Sequence, residues 1–357
     1  MSRETNIADG PTISADPRME LGADKRPERP GRRLSVIVPV LDEESVVPVF
    51  LERMETLAQD LRDKVDRVEI VFVDDGSSDR TVACILEWAS KALDIKVIKL
   101  SRNFRKDSAL AAGLDYATGD AVIPMDVDLQ DPPELIPRMV DVWLDGAKMV
   151  NAKRISRATD NLIKRSTSKA FYKVFNSLCD FHVEPNVGDF RLLDRQVVDV
   201  LNEMTERVRF MIGLFAWVGF KPVTLEYERL ERAAGKTKWS FWKLWNFALD
   251  GITGSSTLPL RAWTYFGVGI AALAVVMGFF LIARTLIHGI DVPGYASLMV
   301  VVLFLGAFNL MALGVMGEYI GRLTVETKKR PIYVVDEVIE LSNDDVRDRR
   351  SLRSPAR

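Results

Sequence analysis

The sequence is poor in the residue types that build disulfide frameworks and all-protein metal sites. Its 357 residues include two cysteines, Cys84 and Cys179, and two histidines, His182 and His288. Two cysteines cannot make a disulfide framework or, on their own, a four-ligand zinc site, and only the two histidines could join them. A secreted protein held together by disulfides is therefore excluded.

The sequence also has no excess of positive charge. Lysines and arginines number 48 against 50 aspartates and glutamates, so the formal net charge is -2. This balance gives no general electrostatic reason to bind nucleic acid. We therefore expect no nucleic-acid partner.

The first 33 residues lack any apolar run and carry four prolines among mixed charges. Such a segment cannot bury enough surface to offset the entropy of ordering it. We therefore expect a disordered tail at 1–33, with no signal peptide before the first strand.

Two long uncharged runs, 262–283 and 292–317, lie near the other end. Each is longer than the roughly 20 residues needed to cross a hydrocarbon core. They predict two transmembrane helices, about 263–287 and 294–317, that form a hairpin within 261–321. Arg261, Arg322 and Lys328 flank the hairpin and its turn has no basic residue. The positive-inside rule therefore predicts a multi-pass protein of the inner (plasma) membrane, with the catalytic domain and both termini cytoplasmic.

Between these regions, short β-branched runs alternate with amphipathic stretches. The predicted strands are 34–40, 68–73, 95–100, 121–125 and 148–151. The predicted helices are 44–62, 79–92, 107–117, 132–144 and 161–181. This alternation predicts an α/β domain at 34–230 with a Rossmann-like, mostly parallel sheet, in which ligands bind beyond the carboxyl ends of the strands.

A further helix at 206–217 and a strand at 220–227 precede a basic, tryptophan-rich segment. Trp239, Trp242 and Trp245 follow helical spacing, which is typical of a buried helix or of an amphipathic helix at a membrane interface. Proximity to the first apolar run favours the interfacial helix, so we expect a juxtamembrane basic loop and amphipathic helix at 231–260. A cytoplasmic segment at 322–341, with a short strand at 332–335, and a disordered tail at 342–357 complete the predicted organisation.

Acidic residues follow two of the predicted strands. Asp74 and Asp75 end one strand, and Ser78 or Asp79 could cap the following helix. A carboxylate at such a strand end can also accept hydrogen bonds from a base or a ribose. For Asp79 alone, the capping role is the better interpretation.

The second acidic motif contains Asp126, Asp128 and Gln130. Alternation along an extended segment places the two aspartates on the same side, where they could share a divalent cation. Mg²⁺ or Mn²⁺ prefers such oxygen ligands, together with substrate phosphates. A solvated acidic turn is the alternative, but it does not explain why the acids end an apolar strand.

A third acidic residue and a set of basic residues complete the candidate site. Asp189 is a general base, a group that orients the acceptor, or the ion-pair partner of Arg191. The basic residues that could contact anionic headgroups or a phosphate anchored in lipid are Arg191, Arg207, Arg209, Arg232, Lys236 and Lys238.

These motifs resemble those of a known enzyme family. The segments 37–44 and 74–77 and the Asp126-x-Asp128 pair resemble the nucleotide-sugar core of family 2 inverting glycosyltransferases with a GT-A fold. The strings 125–134, 188–195 and 317–322 narrow the resemblance to bacterial polyprenyl-phosphate glycosyltransferases related to dolichyl-phosphate mannose synthase. The resemblance covers about 34–335.

The resemblance implies roles for individual residues. Nucleotide-sugar binding would fall to Pro39, Asp42, Glu44, Asp75 and Asp126. Asp126, Asp128 and Gln130 would hold Mg²⁺ or Mn²⁺ on the diphosphate. Asp128 and Asp189 would be catalytic, with Asp189 as the proposed base, and Arg207 and Lys236 would contact phosphates.

The resemblance also implies a reaction and an assembly. One sugar would move with inversion from a nucleotide-diphosphate sugar, a UDP-sugar by preference, to polyprenyl (undecaprenyl) phosphate, for modification of cell-envelope glycans. The chain has no Gln-x-x-Arg-Trp signature after Asp189, which indicates a single addition. A homotetramer is implied, with the 332–335 segment exchanged. The alternatives are a non-catalytic nucleotide-sugar binding or assembly subunit and a tethered enzyme with a soluble acceptor.

Overall fold

Alternating apolar runs and amphipathic stretches build one β-sheet with helices on both faces. The computed structural model describes residues 32–88, 92–155, 176–177, 179, 182–207, 209–228, 256–288 and 294–341. Within these residues, eight strands form a sheet of order β7-β5-β6-β4-β1-β2-β3-β8. The strands are β1 (Arg33–Val40), β2 (Arg67–Asp74), β3 (Leu93–Leu100), β4 (Ala121–Pro124), β5 (Met149–Ile155), β6 (Val187–Asp194), β7 (Val223–Glu228) and β8 (Val335–Leu341).

The sheet is mixed, with a parallel centre. β1 pairs in parallel with β2 and β4, and β2 pairs in parallel with β3. β6 runs antiparallel between β4 and β5, while β7 pairs in parallel with β5. The central strands are buried on both faces, as parallel sheets require. The predicted α/β class with a mostly parallel sheet is confirmed.

Helices cover both faces of the sheet. They are α1 (Val47–Asp60), α2 (Thr81–Glu87), α3 (Lys106–Tyr116), α4 (Ile136–Leu144, after a 3-10 turn at Pro133–Leu135), α5 (Arg195–Glu203) and α6 (Met211–Trp217). One core cluster joins α1 and α4 to the sheet through residues such as Phe50 and Met139. The other joins α3, α5 and α6 through residues such as Leu110 and Phe215. Gly113 of α3 packs so closely on β1 that an added Cβ would lie 2.1 Å from Ile37 Cγ2.

A buried carboxylate stabilises the edge of the sheet opposite the candidate site. Glu69 accepts hydrogen bonds from Ser35 Oγ at 2.5 Å and from the Thr118 amide at 3.0 Å. Its other oxygen lies 3.3 Å from Lys96 Nζ. Burial opposes ionisation of Glu69, but these partners outweigh it and hold the pKa below its ordinary value. The group is therefore a charged and satisfied part of the core.

The structure corrects the prediction of a strand at 332–335. The strand is β8, and it shares only Val335 with the predicted segment. β8 pairs antiparallel with β3 of the same chain, where its acidic side chains meet lysines in pairs such as Lys99–Glu337 at 3.1 Å. The acidic residues made this segment unlike a strand in the sequence, because the edge strand is stabilised by a partner that is distant along the chain. The exchange of this segment between copies stays a prediction.

Other boundaries also differ from prediction. α1 begins at Val47 instead of 44, and α2 begins at Thr81. The predicted helix 206–217 is shortened to α6, and the predicted strand 220–227 becomes β7. The predicted helix 161–181 lies almost entirely outside the described residues, as does the tryptophan-rich segment with Trp239, Trp242 and Trp245.

Two helices are long and apolar enough to cross a membrane. They are α7 (Leu258–His288) and α8 (Tyr295–Thr327), and their qualifying segments are Leu260–Phe280 and Leu298–Thr327. Trp263 and Phe266 of α7 contact Phe308 of α8, with ring centroids 6.3 and 5.0 Å apart. α8 continues ten residues beyond the predicted end at 317, and Arg322 Nη2 lies 3.7 Å from Glu318 Oε1, one helical turn before it.

Candidate active site

The predicted acidic site residues gather at one edge of the sheet. β1, β2 and β4 are parallel, so the residues that follow their carboxyl ends lie together. Asp189 lies near the start of β6, which runs antiparallel to β4 and therefore begins at the same edge. The topology thus assembles acids that are far apart in sequence, as the strand-end rule for such sheets predicts.

The loops after β1 and β2 hold each other through carboxylates. Asp42 has a left-handed backbone with φ of 54°. Its Oδ1 accepts hydrogen bonds from the Ser78 amide at 2.7 Å and the Ser78 hydroxyl at 3.1 Å. Glu44 accepts the Arg80 amide at 3.0 Å, and Pro39 lies half-buried near the end of β1. Asp42 and Glu44 therefore hold the loop after β2 against the loop after β1.

Asp79 behaves as a capping residue. Its carboxylate accepts the Thr81 amide at 2.9 Å, and Thr81 is the first residue of α2. The contact satisfies one of the amides that a helix start leaves without an intrahelical partner. The N-cap position itself is Arg80, which makes no side-chain capping hydrogen bond, so Asp79 serves the first amide of α2 from the residue before the cap.

Asp75 organises the loop before α3. Its two carboxylate oxygens accept the amides of Phe104 at 2.6 Å and Arg105 at 2.9 Å. Arg105 has a φ of 76°, a costly conformation for a residue with a Cβ, and α3 begins at the next residue, Lys106. Burial raises the pKa of Asp75 despite these hydrogen bonds. Asp75 thus determines where α3 starts and where Lys106 lies.

The Asp126–Asp128 segment is a turn. β4 ends at Pro124, and residues 127–129 curve through Leu129, whose φ is 55°. The extended conformation expected at this motif is therefore wrong, because the chain bends sharply after the strand. Both aspartates are nevertheless half-exposed while Val127 between them is buried, so both carboxylates face away from the core.

The donor set of this turn suits a hard cation. Gln130 donates to Asp128 from its backbone amide at 3.2 Å and from Nε2 at 2.8 Å, which orients the carboxylate. Asp126, Asp128 and the carbonyl of Gln130 are oxygen ligands of the kind that Mg²⁺ and Mn²⁺ prefer. In the described part of the chain, no three acidic, histidine or cysteine side chains meet to form a complete metal site. The residues therefore fit a cation that is also held by substrate phosphates.

A lysine that the sequence motifs did not single out joins two of the predicted acidic site residues. Lys106 Nζ lies 2.6 Å from Asp126 Oδ1 and 2.8 Å from Asp189 Oδ2. Desolvation alone would lower the pKa of Lys106, but the charges of Asp189 and Asp126 outweigh it and raise the pKa above its ordinary value. The partner of Asp189 is thus Lys106, where the sequence suggested Arg191. The position of Lys106, just beyond the carboxyl end of β3, was the available signal.

Asp107, next to Lys106, has an altered acidity. Burial and the nearby charge of Asp189 raise the pKa of its carboxyl to about 6. The site therefore combines one lysine with three acids: Asp107, Asp126 and Asp189. This concentration of negative charge calls for cationic compensation when an anionic substrate binds.

The candidate phosphate-binding residues are divided among different environments. Arg191 is buried, with its guanidinium 4.1 Å from the centroid of the Phe215 ring. Arg209 donates to the carbonyls of Met204 at 2.7 Å and Leu201 at 3.3 Å, at the end of α5. The Arg207 amide donates to Glu326 of α8 at 2.8 Å. Other predicted phosphate contacts lie outside the described residues: Arg232, Lys236 and Lys238.

Comparison with known protein families identifies the class of protein to which this chain belongs. The model of the family described as glycosyl transferase family 2 matches residues 35–201, which contain the whole acidic cluster. The chain belongs to glycosyl transferase family 2 and is a glycosyltransferase.

Two relatives align over nearly their whole length. The prophage bactoprenol glucosyl transferase homolog of Escherichia coli is 49% identical over 306 residues, which cover 86% of this chain and 99% of the relative. The bactoprenol glucosyl transferase of Shigella phage SfV is 48% identical over 303 residues, which cover 85% and 98%. These relatives confirm the predicted resemblance to the polyprenyl-phosphate branch of the family.

A solved structure is similar at a lower level. The mannosyltransferase PcManGT from Pyrobaculum calidifontis, in complex with GDP-Man and Mn²⁺, is 16% identical to this chain. The match covers 85% of this chain and 88% of the solved one, with a TM-score of 0.41.

Proposed function

We propose that this glycosyltransferase moves one sugar from a nucleotide-diphosphate sugar, preferably a UDP-sugar, to polyprenyl phosphate at the membrane surface. The observation that carries the proposal is the bridge made by Lys106. One ammonium group contacts both Asp126, on the predicted donor side, and Asp189, on the predicted acceptor side. The two substrates would therefore meet within the reach of a single side chain, which is the geometry that a direct transfer needs.

The lipid acceptor is supported by relatives and by the apolar helices. Relatives about 48% identical to this chain are named for bactoprenol, a polyprenol. α7 and α8 provide two segments suited to a membrane, and the Glu326 contact with the Arg207 amide joins α8 to the catalytic domain. A membrane-embedded acceptor fits this arrangement better than a soluble one does.

A divalent cation, Mg²⁺ or Mn²⁺, would be held by Asp126, Asp128 and Gln130. When bound, such an ion neutralises charge on a departing diphosphate. Gln130 keeps the Asp128 carboxylate oriented through its two hydrogen bonds. The pocket for the nucleotide would lie between the loops that Asp42, Glu44 and Asp75 hold in place, beside Pro39.

Asp189 would position the acceptor. A phosphate monoester has its second pKa near ~6, so it is already mostly a dianion at neutral pH and needs little deprotonation. One phosphate oxygen attacks the anomeric carbon from the face opposite the nucleotide. The bond from that carbon to the diphosphate breaks, and the diphosphate leaves with the bonding electrons. Lys106, held by Asp189, would reduce the repulsion between the incoming phosphate and the acidic cluster.

The membrane arrangement belongs to the same proposal. The hairpin of α7 and α8 would anchor the enzyme in the inner membrane, with the catalytic domain and both termini cytoplasmic. The product, a polyprenyl-monophosphate sugar, would serve modification of cell-envelope glycans. A homotetramer remains the expected assembly.

The test measures sugar transfer from a panel of labelled nucleotide sugars to undecaprenyl phosphate in detergent. We expect one UDP-sugar to give a lipid-linked product, and Asp128→Asn to reduce the rate at least 100-fold while the protein stays folded. Asp145→Asn, the same change at an exposed position at the end of α4, should retain the full rate. Full activity of Asp128→Asn would refute the metal assignment. Transfer that proceeds without polyprenyl phosphate would favour a soluble acceptor, and no transfer from any donor would favour a binding subunit.

A further inference from the structure

A cavity lies behind Asp189 on the face of the sheet that carries α6. Its volume is about 430 Å³, and it lies between β5, β6 and α6. Arg191 of β6 and Asn151 of β5 line it, and they are directly opposite each other in the antiparallel register. Asp189 and Arg191 are two residues apart on one strand, so their side chains emerge on the same face about 7 Å apart. The cavity therefore adjoins the reaction site.

The inner end of the cavity carries polar atoms without partners. Asn151 is 5% exposed and Arg191 is 3% exposed. Among the residues that the structure describes, neither Asn151 Oδ1 nor Arg191 Nε has a hydrogen-bond partner. A buried polar atom without a partner costs free energy, and a buried charge costs more. Both residues line the same cavity, so one ligand could contact both side chains.

The chemistry of this inner end selects an anion. Arg191 presents a guanidinium, the side chain best suited to bind phosphate through paired N–H donors. Asn151 can present its amide N–H₂ by a half-turn of the side chain. Phe215 contacts the guanidinium at 4.1 Å and keeps it at this end. Burial lowers the pKa of Arg191 to about 10, so the group is still a cation at neutral pH.

Most of the remaining walls are apolar and lead to the surface; the other polar lining residues are His182 and Glu184, whose carboxylate accepts hydrogen bonds from Lys153 and Thr224. Ile212, Phe215 and Phe220 line the cavity, while Pro222, another lining residue, is exposed. Trp217, the last residue of α6, is 61% exposed, so apolar surface continues beyond the cavity. A ligand that fills this space has an anionic head at the inner end and an apolar chain towards the outside.

We infer that this cavity receives the phosphate head and the first isoprene units of the lipid acceptor, an inference that rests on the proposed function. Arg191 and Asn151 bind the phosphate beside Asp189, and the wall made by α6 and Phe220 binds the apolar chain. The ligand class is a phosphate monoester on an apolar chain, and both parts are needed for tight binding.

The test measures binding to the full chain in detergent, by calorimetry, with three probes: farnesyl phosphate, farnesol and inorganic phosphate. Farnesyl phosphate should bind at least tenfold more tightly than either of the others. Arg191→Met removes the charge, and Ala216→Phe fills the cavity from α6 without altering any charge. Each variant should weaken farnesyl phosphate binding at least tenfold and leave UDP binding unchanged. Lys221→Met, which removes an exposed cation next to the lining residue Pro222, should bind all probes as the wild type does.

The outcomes separate this inference from the proposed function. The enzyme could transfer sugar to undecaprenyl phosphate while folded Arg191→Met and Ala216→Phe bind farnesyl phosphate as tightly as the wild type does. That result would overturn the assignment of the cavity and leave the proposed function standing. Inorganic phosphate that binds as tightly as farnesyl phosphate also overturns it, because the site would then be a simple anion site. If both variants lose farnesyl phosphate binding but the wild-type chain transfers no sugar, the cavity is a site for an amphiphile and the proposed function is refuted.

Discussion

Replacement of Lys106 by methionine tests the bridge at the centre of the site. The ammonium contacts Asp126 at 2.6 Å and Asp189 at 2.8 Å. The two carboxylate oxygens therefore lie no farther apart than the two contacts placed end to end, about 5.4 Å. In Lys106→Met, two negative charges face each other across this space without a cation between them.

The size of the effect follows from that distance. Two unit charges about 5.4 Å apart repel by about 3 kcal/mol at an effective dielectric constant near 20, and by about 0.8 kcal/mol in water. The side chains of Lys106 and Asp126 are 46% and 39% exposed, so the value lies between these limits. In the wild type, a Mn²⁺ ion bound by Asp126 as proposed would have to displace the ammonium. In Lys106→Met, the same ion would relieve the repulsion instead.

We therefore expect Lys106→Met to bind Mn²⁺ more tightly than the wild type by about 5-fold to 150-fold, which corresponds to about 1–3 kcal/mol. The assay is a Mn²⁺ titration of the full chain in detergent, without nucleotide, in which free Mn²⁺ is followed by electron paramagnetic resonance. Lys106→Arg retains the charge and should bind Mn²⁺ as the wild type does. Adding Asp126→Asn to Lys106→Met should remove the gain. Unchanged or weaker Mn²⁺ binding in Lys106→Met would refute the reasoning.

Three further predictions concern stability and are checked by thermal unfolding or hydrogen exchange. Glu69→Gln should cost about 1–3 kcal/mol at neutral pH. Because the folded pKa of Glu69 is lowered, its stabilisation is present above about pH 4.5 and fades as the pH falls through the folded pKa; a deficit that grows in acid would contradict this. Gly113→Ala should cost about 1–3 kcal/mol, because its Cβ would overlap Ile37; an unchanged melting temperature would show that α3 can shift freely. Tyr333→Phe removes a 2.5 Å hydrogen bond to Asp115 and should speed amide exchange in β8, at a cost of about 1 kcal/mol; equal exchange rates would mean that the strand holds without it.

The sequence predicted the elements whose stability is local. The β-branched runs of β1 to β4 and the long apolar runs of α7 and α8 were recognisable because burial on both faces, or in a bilayer, demands continuous apolar side chains. The acids at strand ends were recognisable because parallel strands bring their carboxyl ends to one edge. This much of the candidate site, including Asp75, Asp126 and Asp189, follows from pattern alone.

Other features depend on partners that are distant in sequence. β8 has an acidic, half-exposed pattern, and it is a strand because β3 supplies its hydrogen bonds and lysines. The turn at Asp128 depends on its contacts with Gln130 and on a left-handed Leu129. Local propensity does not depend on such distant contacts. The prediction from sequence therefore placed the strand too early and gave the turn an extended conformation.

The sequence thus determined which acidic residues are available at the site, and the tertiary structure determined which of them come into contact with one another's partners and with Lys106. Asp75 holds the loop that starts α3, and α3 in turn places Lys106 between Asp126 and Asp189. Likewise, Arg191 and Asn151 face one cavity only because β5 and β6 pair in one register. Side-chain charge is a property of each residue, whereas the distance between charges is a property of the folded chain.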